Sequence, residues 1–352
     1  MLDKQRPQDN PNMRQTRALC EVDSMEKRQV IALGVAAIVI GSVGFVVLWS
    51  AQPAPDVRIG YLTKDLHQLA LRVAIVNGLF EREGINVQLL SYGNGALEMD
   101  GFLNDQIDMG YLGAAPALVK RINLDIMVTV LAAVNLEGSA IMVSKSEYDL
   151  GHVTNMTDLA GKGVYHPGPS TVQNFLLRLA LNQSGMSYED VNAIYASPLN
   201  MANLLTPENP AFIAWEPFNA RAEYEEKAVP LLLSGEIWPR HPCCVVASRN
   251  SFMAANPDIV QKVIDIHKEA EEWIVSHPTE AIAIAIDWLE MDPEPVETAF
   301  NRIIFDYNVN MTGLSIYLDF LIHENQLEVD KVPSNTTAFL ESFVNTTFVD
   351  MP

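Results

Sequence analysis

The chain has 352 residues, 49% of them apolar and 19% charged, with a formal net charge of −21. Such a chain exceeds one small domain and can fill a sizeable core, which excludes intrinsic disorder. So acidic a balance excludes nucleic-acid binding through a basic patch, and three cysteines exclude a disulfide framework.

Residues 1–29 mix basic and acidic side chains, whereas residues 30–49, VIALGVAAIVIGSVGFVVLW, carry no charge at all. Twenty residues at about 1.5 Å each reach roughly 30 Å, the hydrocarbon thickness of a bilayer. A buried core helix would show polar positions along one face. A cleaved signal peptide would have a shorter apolar run and a small-x-small site, which WSAQPAP lacks. An uncleaved anchor is therefore expected at 30–49. Lys27 and Arg28 at one end and Trp49 at the other place the leader in the cytoplasm and the acidic remainder outside a single-pass cell-membrane protein.

After a Pro-containing linker (50–56), short apolar runs alternate with amphipathic stretches. Strands are predicted at 57–62, 85–90, 107–112, 126–134 and 140–144, with helices at 67–80, 96–103 and from 115. A second set follows: strands at 163–166, 191–196, 211–215 and 229–233, and helices at 171–184, 199–205 and 217–226. A strand at 244–248 then opens a mostly helical part, with helices at 257–276, 279–289, 294–302 and 314–324. This order predicts an α/β architecture with parallel-dominated sheets in two lobes, the chain crossing between them near 145–150 and 238–243. The implied division is residues 57–147 with 241–325, residues 148–240, and a C-terminal tail at 326–352. A cleft between two such lobes suits a small ligand, and hinge closure is the expected motion.

No sequence signature of nucleotide, zinc-protease or serine-hydrolase chemistry occurs; Gly93-Asn-Gly95 lacks the third glycine of a dinucleotide loop. The seven histidines are scattered, and His267 and His277 fall on helix faces as solvated or capping residues. His241-Pro-Cys-Cys244 offers soft ligands without a C-x-x-C partner, so Cys243 and Cys244 read as small residues of a buried strand, and neither metal nor cofactor is expected. Five N-x-S/T sequons, at Asn155, Asn182, Asn310, Asn335 and Asn345, fit an exported surface.

The informative positions are strand ends, where open α/β sheets bind ligands. Thr63 and His67 follow the first strand, Asn94 the second, Gly113 and Ala114 the third, and Ser170 and Thr171 the first strand of the second set. Small residues at helix N-termini there can hold an anion without an arginine. Trp215-Glu216 ends another strand. Either the indole and carboxylate face a ligand, or the tryptophan packs its lobe and the glutamate caps the next helix. His241, with the cysteine pair, lies at the return crossing, within reach of the cleft.

DLAGKGV (158–164) followed by PGPST, DMGYLGAAPAL (108–118), AFIAWEPFNARAE (211–223) and residues 251–281 together resemble the solute-binding proteins of nitrate, sulfonate, taurine and thiamine-pyrimidine ABC importers. The resemblance covers roughly residues 56–325. It implies a type II periplasmic-binding-protein fold, two α/β lobes joined by a two-strand hinge, and a monomer that passes its small-molecule ligand to a membrane permease driven by a cytoplasmic ATPase. By position it places ligand contacts at Thr63, His67, Asn94, Gly113, Ala114, Ser170, Thr171, Trp215 and Glu216, and no catalytic residue. Two other readings compete with a receptor: an enzyme on the same fold resembling thiamine-pyrimidine synthase, which His67 with His241, Cys243 and Cys244 would serve, and a sensory ectodomain.

Overall fold

The computed structural model describes residues 54–350. The leader and the span expected at 30–49 lie outside the described residues, among which no helix is long and apolar enough to cross a membrane.

The apolar runs form two sheets. The first contains β1 (Val57–Leu62), β2 (Val87–Tyr92), β3 (Met109–Gly113), β4 (Val128–Glu137), β10 (Pro242–Arg249) and β11 (Ile303–Phe305), in the order β11-β4-β10-β3-β1-β2. The second contains β5 (Ser139–Ser144), β6 (Gly163–His166), β7 (Asn192–Tyr195), β8 (Ala211–Trp215) and β9 (Ala228–Leu233), in the order β7-β6-β8-β5-β9. The βαβ units give parallel pairs: β1 with β2 and β3, and β6 with β7 and β8. Each sheet also receives a strand from the other half of the chain. β10 runs antiparallel between β3 and β4, and β5 antiparallel between β8 and β9. The sheets are therefore mixed rather than parallel-dominated. A strand that arrives directly from the other sheet needs no helical crossover and is free to enter in the opposite direction.

The first crossing lies at Gly138, between β4 and β5, and not at 145–150, because residues 139–144 already belong to the second sheet. The return runs through Trp238–His241 into β10. Helices α1 (Leu69–Val76), α2 (Gly95–Leu103), α3 (Ala114–Asn123) and α4 (Val172–Gln183) follow strands of the βαβ sets, and α5 (Phe218–Tyr224) follows β8. The helix predicted over 67–80 stops at Val76, since Gly78 takes φ 66°, a left-handed conformation that ends a helix at little cost.

Pro257 and Pro278 open the long helices α6 (Pro257–Ser276) and α7 (Pro278–Leu289), each proline at a first-turn position where its missing N–H costs nothing. α6 lays Val260, Val263, Ile264, His267, Ala270 and Ile274 into the core at helical spacing. His267 is thus fully buried rather than solvated, whereas His277 sits exposed between α6 and α7 and stacks on Trp273. The segment expected as a tail instead closes the core: Leu340 and Phe343 are buried, and Val344 bridges to Val130 of β4.

Candidate functional site

The C-terminal ends of strands from both sheets meet at a small cavity of about 20 Å3, roughly the room for one water. From the first sheet it is lined by Asp65, His67, Gly95, Gly113 and the cysteine pair, and from the second by Thr171, Val172, Gln173 and Trp215. Space at Gly113 is tight, since a Cβ there would lie 3.2 Å from the Val172 side chain. Thr171 caps α4, its Oγ1 accepting from the Asn174 N–H and donating to the Gly168 carbonyl at 2.7 Å. Trp215 is buried edge-on against Phe218, and its Nε1–H has no hydrogen-bond partner among the described residues.

His67 is the best-anchored member. Asp65 caps the turn that carries it by accepting from the His67 backbone N–H at 3.0 Å. The ring Nε2 lies 2.9 Å from the Gly138 carbonyl, and because a carbonyl only accepts, Nε2 carries the proton. The same carbonyl accepts from the Glu216 N–H at 2.9 Å, so the crossing residue ties both sheets to His67. Nδ1 is left facing Asp65 Oδ1 at 3.2 Å, Cys243 Sγ at 3.8 Å and Cys244 Sγ at 3.9 Å, all buried.

Burial pushes the Asp65 carboxyl up to about 7. For His67, burial opposes the charge, but Cys243 and Asp65 outweigh it and hold the imidazole up to about 9. Cys244 and His67 pull the Cys243 thiol well below its usual value, while its partner Cys244 is driven well above. The cluster thus favours one positive imidazolium against one thiolate.

Gly138 takes φ 81°, and a Cβ there would collide with the His67 ring. Gly138→Ala is expected to cost roughly 2 kcal/mol of stability through left-handed strain and loss of the ring contact. A urea-unfolding midpoint that does not move would contradict this.

Of the residues expected in the site, His67, Gly113, Thr171 and Trp215 line the cavity. Asn94 caps α2 and donates from Nδ2 to the Pro167 carbonyl at 3.4 Å, joining loops of the two sheets. Ala114 is buried as the first residue of α3, and Ser170 is partly exposed. Thr63 instead borders a separate, wider groove of about 530 Å3 shared with Lys64, Arg221, Tyr224 and residues 289–292.

Glu216 does not line the cavity. Its Oε1 accepts from Arg302 at 3.1 Å and its Oε2 from the Ala220 N–H at 3.0 Å, so both oxygens serve structure. His241 is buried against Trp238, with Nδ1 toward the Pro242 carbonyl, and also lies off the cavity lining. Asp65 and Gln173 went unnoticed in the sequence. Asp65 stands two residues before His67, a spacing that signals a cap, but nothing in the sequence announces that Gln173 of α4 donates to Ser139 Oγ of β5 at 3.0 Å.

A family model described as the NMT1-like family matches residues 50–290. The chain belongs to that family. A putative binding protein of Brucella abortus is 27% identical over 282 residues, covering 78% of this chain and 82% of the relative. Among solved structures, the periplasmic nitrate-binding protein NrtA of Synechocystis PCC 6803 aligns with TM-score 0.73 at 16% identity, over 85% of this chain and 89% of that one. The alkanesulfonate-binding protein SsuA of Xanthomonas axonopodis pv. citri, bound to MOPS, aligns with TM-score 0.71 at 17% identity, over 84% and 99%. The fold is that of the periplasmic binding proteins, with two sheet-containing lobes.

Proposed function

We propose that the chain is the extracytoplasmic solute-binding receptor of an ABC importer, closing two lobes on a small solute of the nitrate, sulfonate or pyrimidine type without a covalent step. The observation that carries this is a cavity lined by strand ends of both sheets at once, with Gly113 and Val172 among its lining. No Lys or Arg lines the cavity. An anion there would be held by backbone N–H groups at the starts of α3 and α4 and by the Trp215 indole, dipoles that act strongly where water is excluded. About 20 Å3 is too little for a sulfonate, so the lobes must part to admit it. The names of the nitrate- and sulfonate-binding neighbours support the solute class.

The lobes of this reading are built on the two sheets, with the hinge at Gly138 and at Trp238–His241. The uncharged stretch at 30–49 supports a membrane anchor that holds the monomeric receptor beside its permease and ATPase, outside the cell.

The test is a thermal-shift screen of nitrate, alkanesulfonates, aminosulfonates and pyrimidines on the full chain, with a chelator present. A bound solute at a hundredfold excess over Kd is expected to add about 2.7 kcal/mol of stability. Trp215→Ala and Thr171→Val are each expected to weaken the hit at least tenfold. No stabilisation by any of these classes, or a hit indifferent to both substitutions, would sink the reading.

A further inference from the structure

We propose that His67, Cys243 and Cys244 form a binding site for one thiophilic cation of the Cu(I) or Zn(II) kind. The inference uses the same cavity as the solute reading and does not depend on it.

The first support is the path of the backbone. Successive side chains of a regular strand point to opposite faces, so two adjacent cysteines could not both meet one histidine. On β10 the pairing with β4 slips on either side of Cys244: Pro242 stands opposite Leu136, Cys244 opposite Asn135 and Val245 opposite Ala133. Such a bulge re-aims a side chain, and here it brings both sulfurs to within 4 Å of His67 Nδ1. The Cys244 N–H at this irregularity is taken by Asn135 Oδ1 at 3.2 Å, a fully buried side chain whose Nδ2 donates on to the Glu137 carbonyl. The irregularity is thus supported by its own hydrogen bonds.

The second support is the histidine's orientation. With its Nε2–H donating to the Gly138 carbonyl, the ring turns Nδ1 toward the two sulfurs, where it becomes a ligand once an arriving cation displaces its proton. A metal-binding histidine almost always donates its other N–H to a carbonyl or carboxylate in this way.

The third is spacing. The three donor atoms lie within 4.8 Å of one another and all three residues are buried. Metal–sulfur and metal–nitrogen bonds of about 2.3 and 2.1 Å put sulfur and nitrogen roughly 3.6–3.8 Å apart around one ion. The observed 3.8 and 3.9 Å need shifts of only tenths of an ångström. Two sulfurs and an imidazole select soft cations over Mg2+ or Ca2+. Both cysteines are outside any disulfide, so uptake releases to solvent the protons still held by the sulfurs and by His67 Nδ1 as these atoms bind the cation.

The experiment titrates reduced, metal-free full chain with Cu(I) and with Zn(II), each against a chromogenic chelator and with no solute added. One equivalent per chain is expected, with a thiolate-to-metal charge-transfer band and no competition from Mg2+. Cys243→Ala and Cys244→Ala are each expected to weaken binding by at least about a hundredfold. His67→Gln, which keeps a donor for the Gly138 carbonyl, is expected to weaken it by at least about tenfold, while Cys20→Ala leaves it unchanged. Absence of stoichiometric binding, or affinity unmoved by both cysteine substitutions, overturns the site. Should a variant fail to fold, X-ray absorption of the loaded, unmodified chain decides. A shell with two sulfurs and one imidazole nitrogen supports the site, and a shell without sulfur overturns it. The solute screen contains a chelator and this titration contains no solute, so failure of one leaves the other standing.

Discussion

Arg302→Ala is expected to destabilise the chain by about 3–4 kcal/mol at neutral pH. Glu216 immediately follows β8 of the second sheet and is wholly buried, whereas Arg302 immediately precedes β11 in the first. The guanidinium donates to Glu216 Oε1 at 3.1 Å and to Glu223 Oε2 at 2.6 Å, so one arginine ties the end of β8 and helix α5 to the edge of the other sheet. Burial raises the Glu216 carboxyl, and Arg302 is the main force working against that rise. Without the arginine, the carboxyl must either stay charged in the interior or take up a proton. Protonating an ordinary glutamic acid at pH 7 costs about 3–4 kcal/mol, which bounds the electrostatic part of the loss.

The pH dependence follows from the same choice. In the variant, folded Glu216 holds a proton that the unfolded chain gives up above about 4.3, so the penalty is small near pH 4 and grows as pH rises toward 7. Glu216→Gln combined with Arg302→Met should recover much of the loss, because a pair removed together leaves no lone buried charge. Urea unfolding at pH 4.5 and 7 checks both statements. An Arg302→Ala penalty below 1 kcal/mol at pH 7, or equal at the two pH values, would show that Glu216 is solvated.

This ion pair marks where reading from sequence stopped. The strands β1 and β6 have the bounds that their apolar runs predict, and α6 begins and ends at 257 and 276 as expected, because composition and proline positions decide those features locally. The strand ends carrying Gly113, Thr171 and Trp215 were legible for the same reason, since βα turns concentrate small residues and caps. β11 is three residues long, and its place is decided by pairing with β4 rather than by any pattern of its own. Membership of a sheet is likewise a tertiary property: strands at 126–134 and 140–144 were legible, but not that the second of them, β5, joins the second sheet. Glu216 could be read as a cap or a ligand, and only the arrival of Arg302 from 86 residues away decides for structure. The bulge that turns both cysteines toward His67 depends on register with β4, which no local pattern of small residues encodes.

His267 carries the second large expected effect. A histidine on a 20-residue helix would ordinarily be an exposed polar position, yet this one is fully buried in the face that α6 lays against the first sheet. Its Nε2 donates to the Ala133 carbonyl of β4 at 2.7 Å, and the ring meets Tyr111 of β3 edge-on at 5.4 Å. Burial drives its pKa down to about 4, against about 6.5 for an exposed imidazole. Between those values the unfolded chain binds a proton that the folded chain refuses. Stability is therefore unaffected by this group above pH 6.5, falls as pH drops toward 4, and levels off below. The full loss is about 3 kcal/mol. Asp65 and Glu271, whose carboxyls burial raises, act in the opposite sense, so the comparison must be made by difference. The unfolding free energy of the unmodified chain minus that of His267→Gln is expected to shrink by about 2 kcal/mol between pH 7 and pH 5. A His267 imidazole that titrates near 6.5 in the folded protein by NMR would overturn the argument. It would show that α6 opens to admit water at this position.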